Sequence, residues 1–169
     1  MYSVALAFLN MNIFLQLSRP LLCQHRFYDT VKKNEKRVYT LMIEVKTSTL
    51  SDGEFNRGVF ATCDIKKGEM LHQAPVIAYP NDQHEHIEKT LLADYAFEYG
   101  INHTAMLLGY GMLFNHSYTP NATYDINFDN HTFDFFAYTD IKAGDEILIN
   151  YNGEVDNEDP LWFNKEDEQ

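Results

Sequence analysis

The 169-residue chain is predicted to be mainly β, with one amphipathic helix and short helical turns. Three observations predict this. The first is a series of short β-branched or aromatic runs at 42–45, 58–62, 70–79, 132–138 and 146–149, bounded by Gly, Asp or Pro. Such runs are strand-sized and too short for helices. The second is one segment with a different period. Ile87, Leu91, Tyr95 and Tyr99 recur every four residues, with Leu92 and Ala96 beside them. Asp82 with Glu85 fits a capping box and Gly100 supplies a stop, so the pattern predicts one helix over 82–99. The third is an internal echo. Ala61-Thr62-Cys63-Asp64-Ile65-Lys66-Lys67-Gly68-Glu69 resembles Ala137-Tyr138-Thr139-Asp140-Ile141-Lys142-Ala143-Gly144-Asp145. Each copy reads strand, Asp-Ile-Lys-x-Gly turn, strand, with Gly free to take a positive φ. The echo predicts two similar strand–turn–strand corners.

Charge bounds the partners. The formal net charge is −12, and it is uneven. Residues 1–41 carry six Lys/Arg against two Asp/Glu, and residues 42–169 carry seven against twenty-three. An acidic body repels phosphate backbones, so no direct nucleic-acid partner is expected, whereas a basic protein or lysine-containing peptide would be attracted. Solubility alone also explains an acidic surface, and both readings stand at this point. No run reaches the roughly 20 apolar residues of a membrane span, so no membrane partner is expected. Cys23 and Cys63 form no Cys-x-x-Cys pair, and neither a zinc knuckle nor a disulfide framework is implied. His72, His84, His86 and His103 lack the spacing of a metal site, so no metal is expected. The default location is cytoplasmic, with export to act on another cell's proteins as the alternative. The sequence does not speak to oligomeric state.

Three stretches could carry chemistry. Gly109-Tyr110-Gly111-Met112-Leu113-Phe114-Asn115-His116-Ser117-Tyr118-Thr119-Pro120-Asn121 joins an apolar lead-in to an Asn-His-Ser and a Pro-Asn turn. Amide and imidazole groups can orient a polar ligand, and they also serve in an ordinary capped turn. Ala143-Gly144-Asp145-Glu146-Ile147-Leu148-Ile149-Asn150-Tyr151 is a strand with a Tyr at its tip. Ser51-Asp52-Gly53-Glu54-Phe55-Asn56-Arg57-Gly58-Val59-Phe60-Ala61 is a Gly-containing loop entering a strand, a weak signal alone.

In this order the three resemble the signatures of the SET-domain protein-lysine N-methyltransferases. The first matches Asn56-Arg57-Gly58-Val59-Phe60-Ala61, the second Leu113-Phe114-Asn115-His116-Ser117 with Pro120-Asn121, and the third Gly144-Asp145-Glu146-Ile147-Leu148-Ile149-Asn150-Tyr151. The resemblance covers about residues 42–163. Asn56 replaces the first Gly of the family's loop and Leu113 replaces an Arg. No cysteine-rich zinc segment follows Tyr151; the chain continues to Asp159-Pro160-Leu161-Trp162-Phe163, similar to the aromatic segment of members that close the site without zinc.

The resemblance implies a SET-type β-clip with a threaded C-terminal segment over 42–163. Residues 1–41 would be an N-terminal extension, which a start at Met42 would leave out, and 164–169 a charged tail. It implies methyl transfer from S-adenosylmethionine to a lysine ε-amine of a protein, with a basic protein expected. A catalytically inactive SET-like module that binds a lysine-rich partner is the alternative. Phe55, Asn56, Arg57, Gly58, Asn115, His116, Tyr151 and Trp162 would meet the cofactor. Tyr151 and Tyr124 would be catalytic, and Tyr110, Tyr124 and Ile149 would face the substrate. The methylation state reached stays open.

Overall fold

The protein is described here from a computed structural model covering residues 41–50 and 56–161. Among the described residues nine strands follow in order: β1 (Ile43–Thr47), β2 (Arg57–Ala61), β3 (Met70–Pro80), β4 (Ala96–Glu98), β5 (His103–Leu107), β6 (Asn115–His116), β7 (Ala122–Asn127), β8 (Thr132–Ala137) and β9 (Leu148–Ile149). One short helix, α1 (His84–Ile87), and 3-10 turns at Asn81–Gln83, Leu91–Tyr95 and Gly111–Leu113 complete the order. The mainly β class with short helical turns is as the sequence predicts.

The strands form a five-stranded sheet ordered β4-β5-β3-β8-β7, an antiparallel β1-β2 pair and a parallel β6-β9 pair. β3 joins the parts of the large sheet by changing partner. Its first half pairs with β8 and its second with β5. Pro75 stands at the changeover. Having no N–H, proline suits a point where ladder pairing switches. The β7–β8 hairpin closes through Asn127, whose Oδ1 accepts from the Asn130 N–H, and through His131 at φ 53°.

The core lies on one face of β8. Phe133 and Phe135 are fully buried, and Phe114 packs on Phe135 with ring centroids 4.6 Å apart. Val59, Leu107, Ile147 and Ile149 fill the space around them. On the other face Asp134 is buried as well. It accepts from Gln73, Thr132 and Asn127, and those neutral donors hold its carboxyl below the usual range despite burial.

The predicted helix over 82–99 is not formed. Only His84–Ile87 is α-helical, and the chain turns again at Thr90. The Thr90 backbone is extended, and its side chain accepts from the Leu92 N–H, starting a separate 3-10 turn. Residues Ala96–Glu98 then pair with β5. Inter-strand hydrogen bonds replace the helical ones, and Phe97 turns its ring to Tyr124 and Phe133. Leu91 and Leu92, expected on the packed helix face, are exposed.

The internal echo proves to be one structure. The two Asp-Ile-Lys corners pack on each other with reciprocal hydrogen bonds. Ile65 and Ile141 exchange backbone bonds of 2.9 Å in both directions. The Asp64 carboxylate accepts from the Lys142 ammonium and the Ala143 N–H, and Asp140 accepts from the Lys66 ammonium and the Lys67 N–H. Gly68 and Gly144 both take positive φ, 85° and 92°, and their N–H groups donate to Ala137 and Ala61. Two equivalent corners thus meet about a local two-fold. Through it β2 and the approach to β9 are held together, which brings the first and third sequence motifs side by side.

Candidate active site

The three motifs converge through a polar brace. Glu146 stands at its centre. Its carboxylate accepts from the Asn115 amide at 2.7 Å and from the Ser48 hydroxyl at 3.0 Å. The Asn115 amide also donates to the Arg57 carbonyl at 3.0 Å. One amide therefore ties the first motif to the third. Gly58 makes this possible, because a Cβ there would stand 2.0 Å from Glu146 Oε1. Asn121 locks the second motif to the third from the other side. Its amide donates to the Glu146 carbonyl and its oxygen accepts from the Leu148 N–H, both at 2.8 Å. Parallel pairing of β6 with β9 then sets Asn115 against Leu148 and His116 against Ile149.

This brace presents an aromatic cluster. The Tyr151 N–H donates to His116 Nδ1 at 3.1 Å, and the Tyr151 hydroxyl donates to the Phe114 carbonyl at 2.9 Å. An acceptor Nδ1 places the proton of the neutral ring on Nε2. Burial holds the His116 imidazole below its ordinary pKa, favouring that neutral form. The Tyr151 phenol is pushed up to about 12, by burial first and then by the neighbouring Tyr95 and Glu146. Tyr124 comes from β7, its ring against Phe97, Phe133 and Phe135. Burial raises its pKa, and the carboxylates of Glu98 and Glu154 add to the rise. Its hydroxyl makes no hydrogen bond to the described residues and lies beside Gly153, where a Cβ would sit 3.7 Å away. The site thus holds one anchored and one available phenol, both un-ionised at neutral pH.

A family model described as "SET domain" matches residues 56–152, more than half of the chain. The chain belongs to the SET-domain family. A curated fission-yeast relative from Schizosaccharomyces pombe, named histone-lysine N-methyltransferase, H3 lysine-37 specific, is 29% identical over 111 residues, which is 65% of this chain and 71% of that one. A solved structure from Plasmodium falciparum, described as a "putative histone methyltransferase", is 34% identical with a TM-score of 0.56, covering 67% of this chain and 95% of that one. The Chaetomium thermophilum Polycomb Repressive Complex 2 bound to S-adenosylmethionine matches at 21% identity and a TM-score of 0.55, over 67% of this chain and 15% of that one, and shows the shared fold. The chain is a SET-domain protein-lysine methyltransferase, and its methyl donor is S-adenosylmethionine.

Within the SET domain the sequence-predicted residues fall in different places. Arg57 has an exposed side chain that makes no ion pair to the described residues. Among the described residues no carboxylate pairs with this guanidinium, so it is a group that could hold the carboxylate of the donor. Asn56 donates to the Ser48 carbonyl at 2.8 Å, which shapes the loop. Phe55 and Trp162 lie outside the described residues. Tyr110 packs edge-on against His72, and its N–H donates to His72 Nε2. Ile149 is fully buried in the core and offers no surface to a substrate. Glu146, Asn121 and Tyr95 were not among the sequence candidates. Glu146 and Asn121 stand inside the quoted motifs, so their signal was present. Tyr95 was assigned to a helix face, and nothing local marks it otherwise.

His116 gives a pH prediction. Its folded pKa is lowered from 6.5 by burial, so the unfolded chain binds more protons below that value. Stability is therefore complete above pH 6.5 and is lost as pH falls from there towards the folded pKa. His72, lowered by the same cause, acts in the same direction. We expect Tm to drop between pH 7.5 and 5.5, and the drop to shrink in His116→Gln beyond any change seen in His72→Gln. An equal drop in all three proteins would remove His116 from this account.

Proposed function

We propose that this methyltransferase acts on a lysine of a basic protein, with Tyr124 and Tyr151 forming the lysine site. The observation that carries this reading is the pair of phenols in the aromatic cluster, one anchored and one available, beside Glu98 and Glu154. Those carboxylates favour an approaching cation. The aromatic walls then disfavour the ammonium and lower the lysine pKa from about 10.4, releasing the neutral amine that attacks. The available Tyr124 hydroxyl would accept from or donate to that amine. The Tyr151 phenol, kept neutral, would hold its oxygen at the path of the transferring methyl.

Arg57 and the Asn115–His116 backbone would hold S-adenosylmethionine. When bound, this donor supplies an electrophilic methyl on a sulfonium that loses its charge on transfer. No strong general acid is then required of the protein. The Asn115 side chain and His116 Nδ1 are already used within the fold. Their part is to place the backbone and Tyr151.

The test is a filter assay with methyl-labelled S-adenosylmethionine, using core histones and then whole-cell protein as acceptors. Label is expected in a basic protein and to be lost when its lysines are blocked. If the chain binds S-adenosylhomocysteine but transfers no label to any acceptor, the catalytic reading fails and the binding-module reading replaces it. Label confined to acidic proteins would overturn the substrate class alone.

A further inference from the structure

The segment that follows Tyr151 is fastened by side chains from both motifs that flank the site. The Asn150 amide donates to the Asn157 carbonyl at 2.7 Å. The Asn152 amide donates to the Asp159 carbonyl at 2.8 Å and reaches the Asn157 carbonyl at 3.4 Å. The Tyr118 hydroxyl, from the Asn-His-Ser loop, donates to the same Asp159 carbonyl at 3.1 Å. Two further bonds stiffen the array. The Asn150 side-chain oxygen accepts from the Asn152 N–H, and the Asn157 side-chain oxygen accepts from the Asp159 N–H. Leu161, just beyond, is buried to 5% exposure.

This fastening serves no sheet or helix, since residues 153–160 form neither. It leads to the site. The Tyr118 ring stands edge-on to His116 with centroids 4.4 Å apart, and His116 meets Tyr151 at 5.3 Å. Backbone carbonyls that lack strand partners are satisfied by amides and a phenol projecting from the site's own strand ends. We propose that Asn150, Asn152 and Tyr118 form a hydrogen-bonded strap that holds residues 157–161 against the His116 side of the site. Asn152 and Tyr118 are then positioning residues for capture of the methyl donor. The proposal rests on the site reading given above.

The experiment uses the full chain. The dissociation constant for S-adenosylhomocysteine is measured by calorimetry in wild type, Asn152→Ala, Tyr118→Phe, the double variant and Asn152→Gln. KM for S-adenosylmethionine, kcat and Tm are read on the same proteins. A neutral hydrogen bond lost from the strap corresponds to a weakening of about fivefold. We expect each single variant to weaken binding by about that factor, with a matching rise in KM and with kcat at saturating donor held within about twofold. Asn152→Gln, which keeps the amide donors, should recover much of the affinity. The double variant should weaken binding less than the product of the singles, because both groups hold the same carbonyl. Unchanged affinity with a lowered Tm would overturn the strap, leaving only a structural contact. A fall in kcat at unchanged affinity would overturn it too. Absence of binding by wild type itself would instead overturn the site reading on which the strap depends.

Discussion

Tyr151→Phe is expected to lower kcat by about 100-fold or more while leaving donor affinity within a few-fold. The magnitude is that of removing one oriented polar group from a transition state. The geometry says why affinity and rate should separate. The hydroxyl donates to the Phe114 carbonyl at 2.9 Å, which fixes the phenol's direction. Losing it leaves the oxygen position empty but keeps the ring packed on His116. The fold will also feel the change, since the Phe114 carbonyl loses a partner. That penalty is about 1–3 kcal/mol. The two effects are separable by assaying below the variant's Tm. A drop in Tm with an unchanged kcat would make Tyr151 a structural residue only.

The same residue predicts a pH effect. Its pKa is raised from 10.0 to about 12 in the folded protein. Between those values the unfolded chain releases a proton that the folded one keeps. Stability should therefore fall as pH rises through that window, and Tyr151→Phe should lessen the fall. At neutral pH the phenol is un-ionised, and it imposes no limb on the rate profile there.

How far the sequence could carry these conclusions varies along the chain. The runs at 42–45, 58–62, 70–79 and 132–138 became β1, β2, β3 and β8 within a residue or two. Their alternation and turn residues are local signals. The run at 146–149 is a local signal as well, and its last two residues form β9. Its partner β6 is two residues long and exists only because it pairs with β9 in parallel across a long separation. No local pattern marks β6. The segment 82–99 misled because a four-residue apolar spacing also fits chain that folds in short pieces. Thr90 breaks it by accepting from Leu92, and β5 captures Ala96–Glu98 as an edge strand. Tertiary pairing overrides helix periodicity there. The site divides the same way. Asn115, His116 and Tyr151 were legible as motif letters, and the structure brings them together. Their use within the fold was not legible. It depends on Glu146 reaching Gly58 and Asn115, an approach between residues far apart in the chain.

That approach yields the second large effect. Gly58→Ala is expected to abolish measurable transfer and to lower stability by about 2–4 kcal/mol, the scale of breaking a buried polar network. A methyl at Gly58 would occupy the place of the Glu146 carboxylate, 2.0 Å from Oε1, and would also press on the Asn115 amide at 3.0 Å. Glu146 cannot withdraw without releasing both Asn115 and Ser48. The released Asn115 would loosen the Arg57 carbonyl, and with it the loop proposed to meet the donor's carboxylate. The mechanism is a clash with one side chain, so it makes a second-site prediction. Glu146→Ala alone should weaken activity and stability by leaving Asn115 and Ser48 without their acceptor. Added to Gly58→Ala, it should raise Tm above that of Gly58→Ala, because the space is then free. Such reversal of sign is the mark of two residues competing for one volume. Additive losses in the double variant, or near-wild-type activity in Gly58→Ala, would show that Glu146 does not occupy the space that the missing side chain leaves open.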